Sequence, residues 1–138
     1  TLSKMNTVVF DGASVILGRL ASTAAKQALL GKNVVVVNCE KVLVSGARAT
    51  TVFAYKEIRA KGGYAQKGPY FPTQPAMIVK RTIRGMLSYK EGRGAQAFKK
   101  IRCYEGVPKQ FEESKRETLS KATHISATSL NEISEELR

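Results

Sequence analysis

Residues 7–37 read TVVFDGASVILGRLASTAAKQALLGKNVVVV, and this stretch decides the fold class. It starts with a short apolar run closed by an Asp-Gly pair, which predicts a strand and a turn. From Gly18 to Leu30 the small and apolar residues recur at helical spacing, and Gly31 follows as a helix C-cap residue. The segment 33–38 then contains four consecutive valines, a pattern typical of a strand buried on both faces of a parallel sheet.

Strand, helix and buried strand within about thirty residues form a βαβ unit, whose crossover is right-handed. We therefore expect an α/β fold with a mostly parallel central sheet, and a single domain over residues 1–138 is expected from the length. The remaining sequence predicts a third apolar segment at 42–44, helices at 47–60, 76–88 and 94–99, and strands at 101–104 and 124–126. It also predicts an ordered loop at 61–75 and irregular chain at 106–121. A Ser129–Glu132 capping box predicts the start of a terminal helix with Ile133 and Leu137 facing inward.

Charge gives the main indication of function. Twenty-three Lys and Arg against eleven Asp and Glu give a net charge of +12 at pH 7. Residues 47–110 hold fourteen of these bases and three of the acids, so the excess is concentrated in the middle of the chain. A local excess of this size favours a polyanionic partner. Nucleic acid is the leading candidate, ahead of an anionic membrane surface or charge that serves only solubility.

The predicted helix at 76–88 separates its charged and apolar residues. At 100° per residue, three cations fall on one arc, and five apolar residues fill the adjacent arc. Cations so close together repel each other, so a bound anion stabilises them, although a solvated basic face remains an alternative. The cations are Lys80, Arg81 and Arg84, and the apolar residues are Ala76, Val79, Ile83, Met86 and Leu87.

More cations flank this helix in sequence. Arginine binds two phosphate oxygens with its flat guanidinium, and glycines let the backbone approach a phosphate closely. The aromatic residues of the predicted loop, Tyr64, Tyr70 and Phe71, either stack on unpaired bases or pack on the domain itself, and the sequence favours neither interpretation. The candidate RNA-binding residues outside the helix are Lys61 and Lys67 before it and Lys90, Arg93, Lys99, Lys100 and Arg102 after it.

The sequence gives no support for catalysis. The turn after the first strand lacks the G-x-G-x-x-G pattern of dinucleotide-binding folds, and no P-loop is present. The single histidine, His124, has no suggestive partner, and a structural role is expected. Cys39 and Cys103 lack zinc spacing and are expected to be buried, reduced thiols. We therefore expect no catalytic residue, metal, cofactor or small-molecule substrate. No signal peptide or membrane span is evident, which predicts a soluble intracellular protein.

The chain resembles the universal large-subunit ribosomal protein thirteen family, in its archaeal and eukaryotic form. The resemblance follows the order and spacing of motifs across most of residues 8–108 and is thinner beyond them. The matching stretches are DGASVILGRLASTAAKQALLG at 11–31, VVVVNCEKVLVSG at 34–46, KGPYFPTQP at 67–75, KRTIRGML at 80–87, GRGAQAF at 92–98 and IRCYEGVP at 101–108.

The resemblance implies a three-layer α/β/α domain that binds large-subunit rRNA, supports assembly of the cytoplasmic ribosome and contacts neighbouring large-subunit ribosomal proteins. The sequence departs from the family where Ser88 and Tyr89 replace its usual Pro and His. A free-standing RNA-binding regulatory protein of the same fold remains the alternative. The family's RNA-facing positions correspond here to Arg19, Lys67, Lys80, Arg81, Arg84, Lys90 and Arg93.

Overall fold

The structure is a computed structural model, and it describes residues 7–60, 72–112, 116–119 and 127–137. Its elements are a mixture of strands and helices, and the strict strand-helix-strand alternation is confined to the first three of them. In order they are β1 (Thr7–Asp11), α1 (Leu17–Leu29), β2 (Asn33–Val37), β3 (Leu43–Ser45), α2 (Arg48–Ala60), α3 (Pro75–Gly85), α4 (Gly92–Lys99), β4 (Ile101–Cys103), β5 (Arg116–Thr118), β6 (Ala127–Ser129) and α5 (Leu130–Leu137), with 3₁₀ turns at Cys39–Lys41 and Lys109–Phe111.

The main sheet has the strand order β4-β2-β1-β5, and each neighbouring pair is parallel. Strands β1 and β2 lie side by side, with Phe10 opposite Val36, and α1 connects them. The βαβ unit and the mostly parallel sheet are thus confirmed.

The four valines of β2 are fully buried on alternate faces of this sheet. Val34 and Val36 pack into the main core with the helices, whereas Val35 and Val37 pack on the opposite side against Phe111. Among the described residues, the segment 104–111 with its 3₁₀ turn covers that opposite side. Burial on both faces, the prediction made from the valine run, is confirmed.

Helix α1 begins one residue before its predicted start and presents its small residues to the core. Leu20, Ala21 and Ala24 have no exposed surface. At the other end Gly31 has φ +94°, a conformation that favours glycine, and its N–H donates to the Ala28 carbonyl at 3.0 Å. Gly31 therefore ends the helix as predicted.

Several predicted boundaries were wrong. Helix α3 includes Pro75, whose fixed φ suits the first helical turn, and it ends at Gly85 rather than Ser88. The chain at 106–121, predicted to be irregular, contributes the edge strand β5. The apolar segment at 42–44 overlaps β3, which pairs antiparallel with β6 in a separate two-stranded sheet. The predicted strand at 124–126 lies outside the described residues.

The terminal helix α5 starts as the capping pattern predicts. The Glu132 N–H donates to the Ser129 side-chain oxygen at 3.4 Å, and Ile133 and Leu137 are buried. On the exposed side Glu136 pairs with Arg48 of α2 at 2.8 Å. Helix α5 therefore packs into the core through apolar side chains and pairs with α2 through charged ones.

Candidate nucleic-acid interface

Helix α3 has one apolar side and one basic side, as its periodicity predicts. Ile78, Val79 and Ile83 have no exposed surface. The cations Lys80, Arg81 and Arg84 are half-buried, so each retains solvent-accessible surface. Ile78 was not among the predicted inward residues, because it lies outside the apolar arc that the helical periodicity predicted.

Met86 was predicted to face the core, and this was wrong. The helix ends before it, and its N–H bonds the Ile83 carbonyl three residues back, so the chain tightens into a turn. Met86 is consequently 45% exposed, while Leu87 is buried and anchors the turn.

The turn that follows α3 is held against the start of α4. A Cβ on Gly94 would overlap the main chain of Ser88, so only glycine allows this approach. The Glu91 N–H also donates to the Ser88 carbonyl at 3.0 Å. These contacts fix the start of α4 against the turn after α3, so the cations of α3, the turn and α4 lie on adjoining elements.

Two aromatic rings lie among these cations. The Lys80 ammonium nitrogen is 5.3 Å from the centre of the Phe98 ring, which belongs to α4. The Tyr89 ring centre lies 4.9 Å from the Arg84 guanidinium carbon and 5.9 Å from the Lys90 nitrogen. Cations at these distances are attracted by the negative face of the ring. The rings therefore order the cations without neutralising them.

The cations here have few acidic neighbours in the sequence. Residues 75–100 contain seven Lys and Arg and one acid, Glu91. Among the described residues, Lys80, Arg84, Lys90 and Arg93 form no ion pair, whereas Arg48 and Lys56 both pair with Glu136 on the α2–α5 side. The α3–α4 basic surface consists of Lys80, Arg81, Arg84, Lys90 and Arg93.

The other predicted residues are distributed over neighbouring elements. Arg19 is exposed in the first turn of α1, and Arg102 is exposed on the edge strand β4. Lys99 is exposed at the end of α4. The Lys100 ammonium donates to the carbonyl of Gly31, just past the C-terminal end of α1, at 3.5 Å. Lys61 and Lys67, like the aromatics at 64, 70 and 71, lie outside the described residues.

Sequence reasoning did not assign Tyr89 or Phe98 to this surface. Each ring immediately precedes a lysine, in Tyr89-Lys90 and Phe98-Lys99, and that adjacency of aromatic and basic residues was the available signal. Their contacts with Arg84 and Lys80 depend on the geometry of the turn and the helix pair. Tyr89 was noted only as a departure from the family pattern.

Cys39 and Cys103 are free thiols, as predicted, but the prediction that both are buried was wrong for Cys103, which is partly exposed. Cys39 is fully buried and donates to the Val36 carbonyl at 3.6 Å. A hydrogen bond with the Cys103 thiol, together with burial, raises the pKa of Cys39 far above its usual range. The Cys39 thiol is therefore protonated and unreactive at neutral pH.

A metal-binding cluster and a membrane-spanning helix are both absent from the described part of the chain. It gathers no cluster of three or more His, Cys, Asp or Glu side chains that could hold a metal ion. None of its helices has both the length and the apolar composition needed to cross a membrane.

Comparison with known proteins identifies the family. The family model for ribosomal protein L13 matches residues 5–110. The large ribosomal subunit protein uL13 of Methanosarcina barkeri is 48% identical over 115 residues, which cover 83% of this chain and 81% of the relative. The protein of the same name from Methanopyrus kandleri is 38% identical over 136 residues, covering 94% and 85%, and that from Natronomonas pharaonis is 39% identical over 131 residues, covering 94% and 90%.

These matches extend over the βαβ unit, α3 and α4, and so include the elements that form the α3–α4 basic surface. The family model alone spans well over half of the chain. The chain belongs to the ribosomal protein L13 family.

Proposed function

We propose that this protein is a structural constituent of the large ribosomal subunit in the cytoplasm, where it binds large-subunit rRNA through the α3–α4 basic surface and supports subunit assembly. Residues 1–138 act as one rRNA-binding domain. Its relatives are named as large ribosomal subunit proteins, so its role is structural and not enzymatic.

The observation that supports this function best is the absence of ion pairs at four of the five cations of the surface, within the described residues. Cations that no carboxylate neutralises repel each other, and phosphate groups of bound RNA relieve that repulsion. Arg84 and Arg93 also offer planar donors that suit two phosphate oxygens at once.

The interface extends beyond this surface. Lys99 ends α4, and Lys100 and Arg102 follow it in the chain, so the three continue the same charged region toward the sheet edge. Arg19 contacts RNA from α1, and Lys61 and Lys67, which lie between α2 and α3 in the sequence, contact it as well. Backbone phosphates are the expected ligands of all these lysines, because an ammonium group acts as a point charge without base specificity.

Neighbouring large-subunit ribosomal proteins complete the set of partners. The charge pairs on the α2–α5 side leave that region less basic than α3–α4, so protein contacts are expected there in preference to rRNA contacts. The protein needs no cofactor for either kind of contact.

Sedimentation of cell extract tests the ribosomal role against that of a free-standing RNA-binding regulator. A ribosomal constituent sediments with large subunits and remains with them through washing at moderate salt. Cross-linking to RNA in cells, followed by sequencing of the attached fragments, identifies the bound site. Recovery of large-subunit rRNA supports the proposal. Recovery of messenger RNA alone, from protein that sediments as a free monomer, supports the regulator.

A further inference from the structure

Tyr89 is an exposed aromatic residue in the middle of the α3–α4 basic surface. It is 38% exposed and belongs to neither apolar cluster of the described residues. Its ring therefore does not fill the core. The Arg84 guanidinium carbon lies 4.9 Å and the Lys90 nitrogen 5.9 Å from the centre of the ring. One cation from α3 and one from the next residue in the chain therefore lie close to it.

The turn fixes the backbone that carries the Tyr89 ring. Leu87, two residues earlier, is buried in the core. Ser88, immediately before the ring, is packed against Gly94 so closely that no side chain fits between them. A ring on an anchored turn loses little conformational entropy when a ligand covers it, and this favours binding.

The ligand that suits this arrangement has both a flat apolar face and negative charges close by. An unpaired nucleotide has these features, since its base stacks on an aromatic ring while its phosphates meet the flanking cations. An apolar protein side chain over Tyr89 would instead place Arg84 and Lys90 at the edge of a contact without counter-charges, and burying them unpaired is unfavourable.

We propose that Tyr89 is a stacking platform for an unpaired base of the bound RNA, with Arg84 and Lys90 contacting the phosphates on either side of that base. This inference rests on the proposed RNA-binding function and deepens it. The α3–α4 basic surface then recognises a bulge, loop or junction, because a base in a continuous duplex is not free to leave its stack.

The variant Tyr89→Trp provides the test, because the chain contains no other tryptophan. Stacking of a base on the indole quenches its fluorescence. We expect quenching by single-stranded oligoadenylate and none by a fully paired RNA duplex of equal length at matched occupancy. Equal quenching by both RNAs, or none by oligoadenylate at saturation, overturns the proposal.

Affinity measurements with oligoadenylate complete the test. Loss of one base–aromatic stack in Tyr89→Leu should weaken binding about 5- to 100-fold, whereas Tyr89→Phe, which keeps the ring, should bind within about twofold of the unmodified protein. Phe53→Leu is the matched control, since Phe53 is an exposed ring on α2, and its affinity should be unchanged. Unchanged affinity in Tyr89→Leu overturns the stacking role alone. Failure of the unmodified protein to bind any RNA overturns the proposed function as well.

Discussion

Gly94, in the first turn of α4, lies directly against the main chain of Ser88 in the turn after α3, and a Cβ at position 94 would overlap the Ser88 carbonyl group. This contact sets where α4 begins relative to the turn that follows α3. The positions of Arg93 and Phe98 on α4 relative to Lys80 on α3 follow from it. The geometry of the basic surface thus depends on one residue that has no side chain.

We expect Gly94→Ala to destabilise the fold by about 1–3 kcal/mol, because the added methyl group must displace backbone rather than a mobile side chain. The helix propensity of alanine, about 1 kcal/mol better than that of glycine, offsets only part of this cost. Urea unfolding measures the change in the free energy of unfolding. Gly92→Ala is the matched control in the same helix, since nothing lies within 4 Å of its added Cβ, and it should be neutral or stabilising. Equal stability of the two variants would contradict the packing described here.

Arg84→Ala should separate binding from folding. It removes a charged contact to phosphate, which weakens rRNA binding by about 1–3 kcal/mol. Its contact with Tyr89 is partly exposed, so fold stability should fall by no more than about 1 kcal/mol. Titration with the cross-linked rRNA fragment and urea unfolding measure the two effects. If affinity fell only in proportion to the folded fraction, Arg84 would be structural.

We expect Ile83→Ala, on the adjacent face of α3, to have the opposite effect, a loss of stability without a loss of RNA affinity. Ile83 has no exposed surface, so its truncation should leave a cavity and destabilise the fold by about 2–5 kcal/mol. The affinity of the protein that remains folded should be unchanged. The same unfolding and titration experiments check this, and a loss of affinity without loss of stability would show that the two faces of α3 are assigned the wrong way round.

The parts of the fold that local sequence determines could be predicted. The valine run of β2 predicts burial on both faces of the sheet, and the periodicity identifies the buried face of α1 and, apart from Ile78 and Met86, that of α3. The Ser129–Glu132 spacing likewise identified the start of α5. Candidate cations could be named for the same reason, since charge concentration is visible without coordinates.

The remaining features depend on contacts between distant segments. Strand β5 has the sequence Arg-Glu-Thr, with no apolar pattern, and it is a strand because Val9 to Asp11 of β1 offers it a free edge. Strands β3 and β6 pair although more than eighty residues separate them. Tyr89 lies among the cations because of the turn that packs against Gly94. Pairings of this kind leave little local signal in a sequence.

Cys39 should make stability depend on pH in alkaline solution. The hydrogen bond with Cys103 and burial raise the folded pKa of Cys39 above its ordinary value of 9.0. The folded state therefore holds this proton more tightly than the unfolded chain does. The stabilisation is fully present below about pH 9 and declines as the pH rises above it, by up to about 1.4 kcal/mol per pH unit.

Urea unfolding of the unmodified protein and of Cys39→Ala between about pH 8 and about pH 10 checks this dependence. The variant should show a shallower decline. Burial also raises the pKa of Tyr55, so some decline should persist in the variant and should shrink further in Tyr55→Phe. Identical pH profiles for Cys39→Ala and the unmodified protein would show that the Cys39 proton is not held by the fold.

The salt dependence of rRNA binding tests the central claim most directly. If about six to eight phosphates are neutralised, the logarithm of the binding constant should fall against the logarithm of salt concentration with a slope of about −5 to −7. Replacing both Lys90 and Arg93 with alanine should reduce the steepness by about 2, whereas Arg48→Ala, which removes a cation already paired with Glu136, should leave the slope unchanged. A slope near zero, or an unchanged slope in the Lys90 and Arg93 variant, would contradict binding through the α3–α4 basic surface.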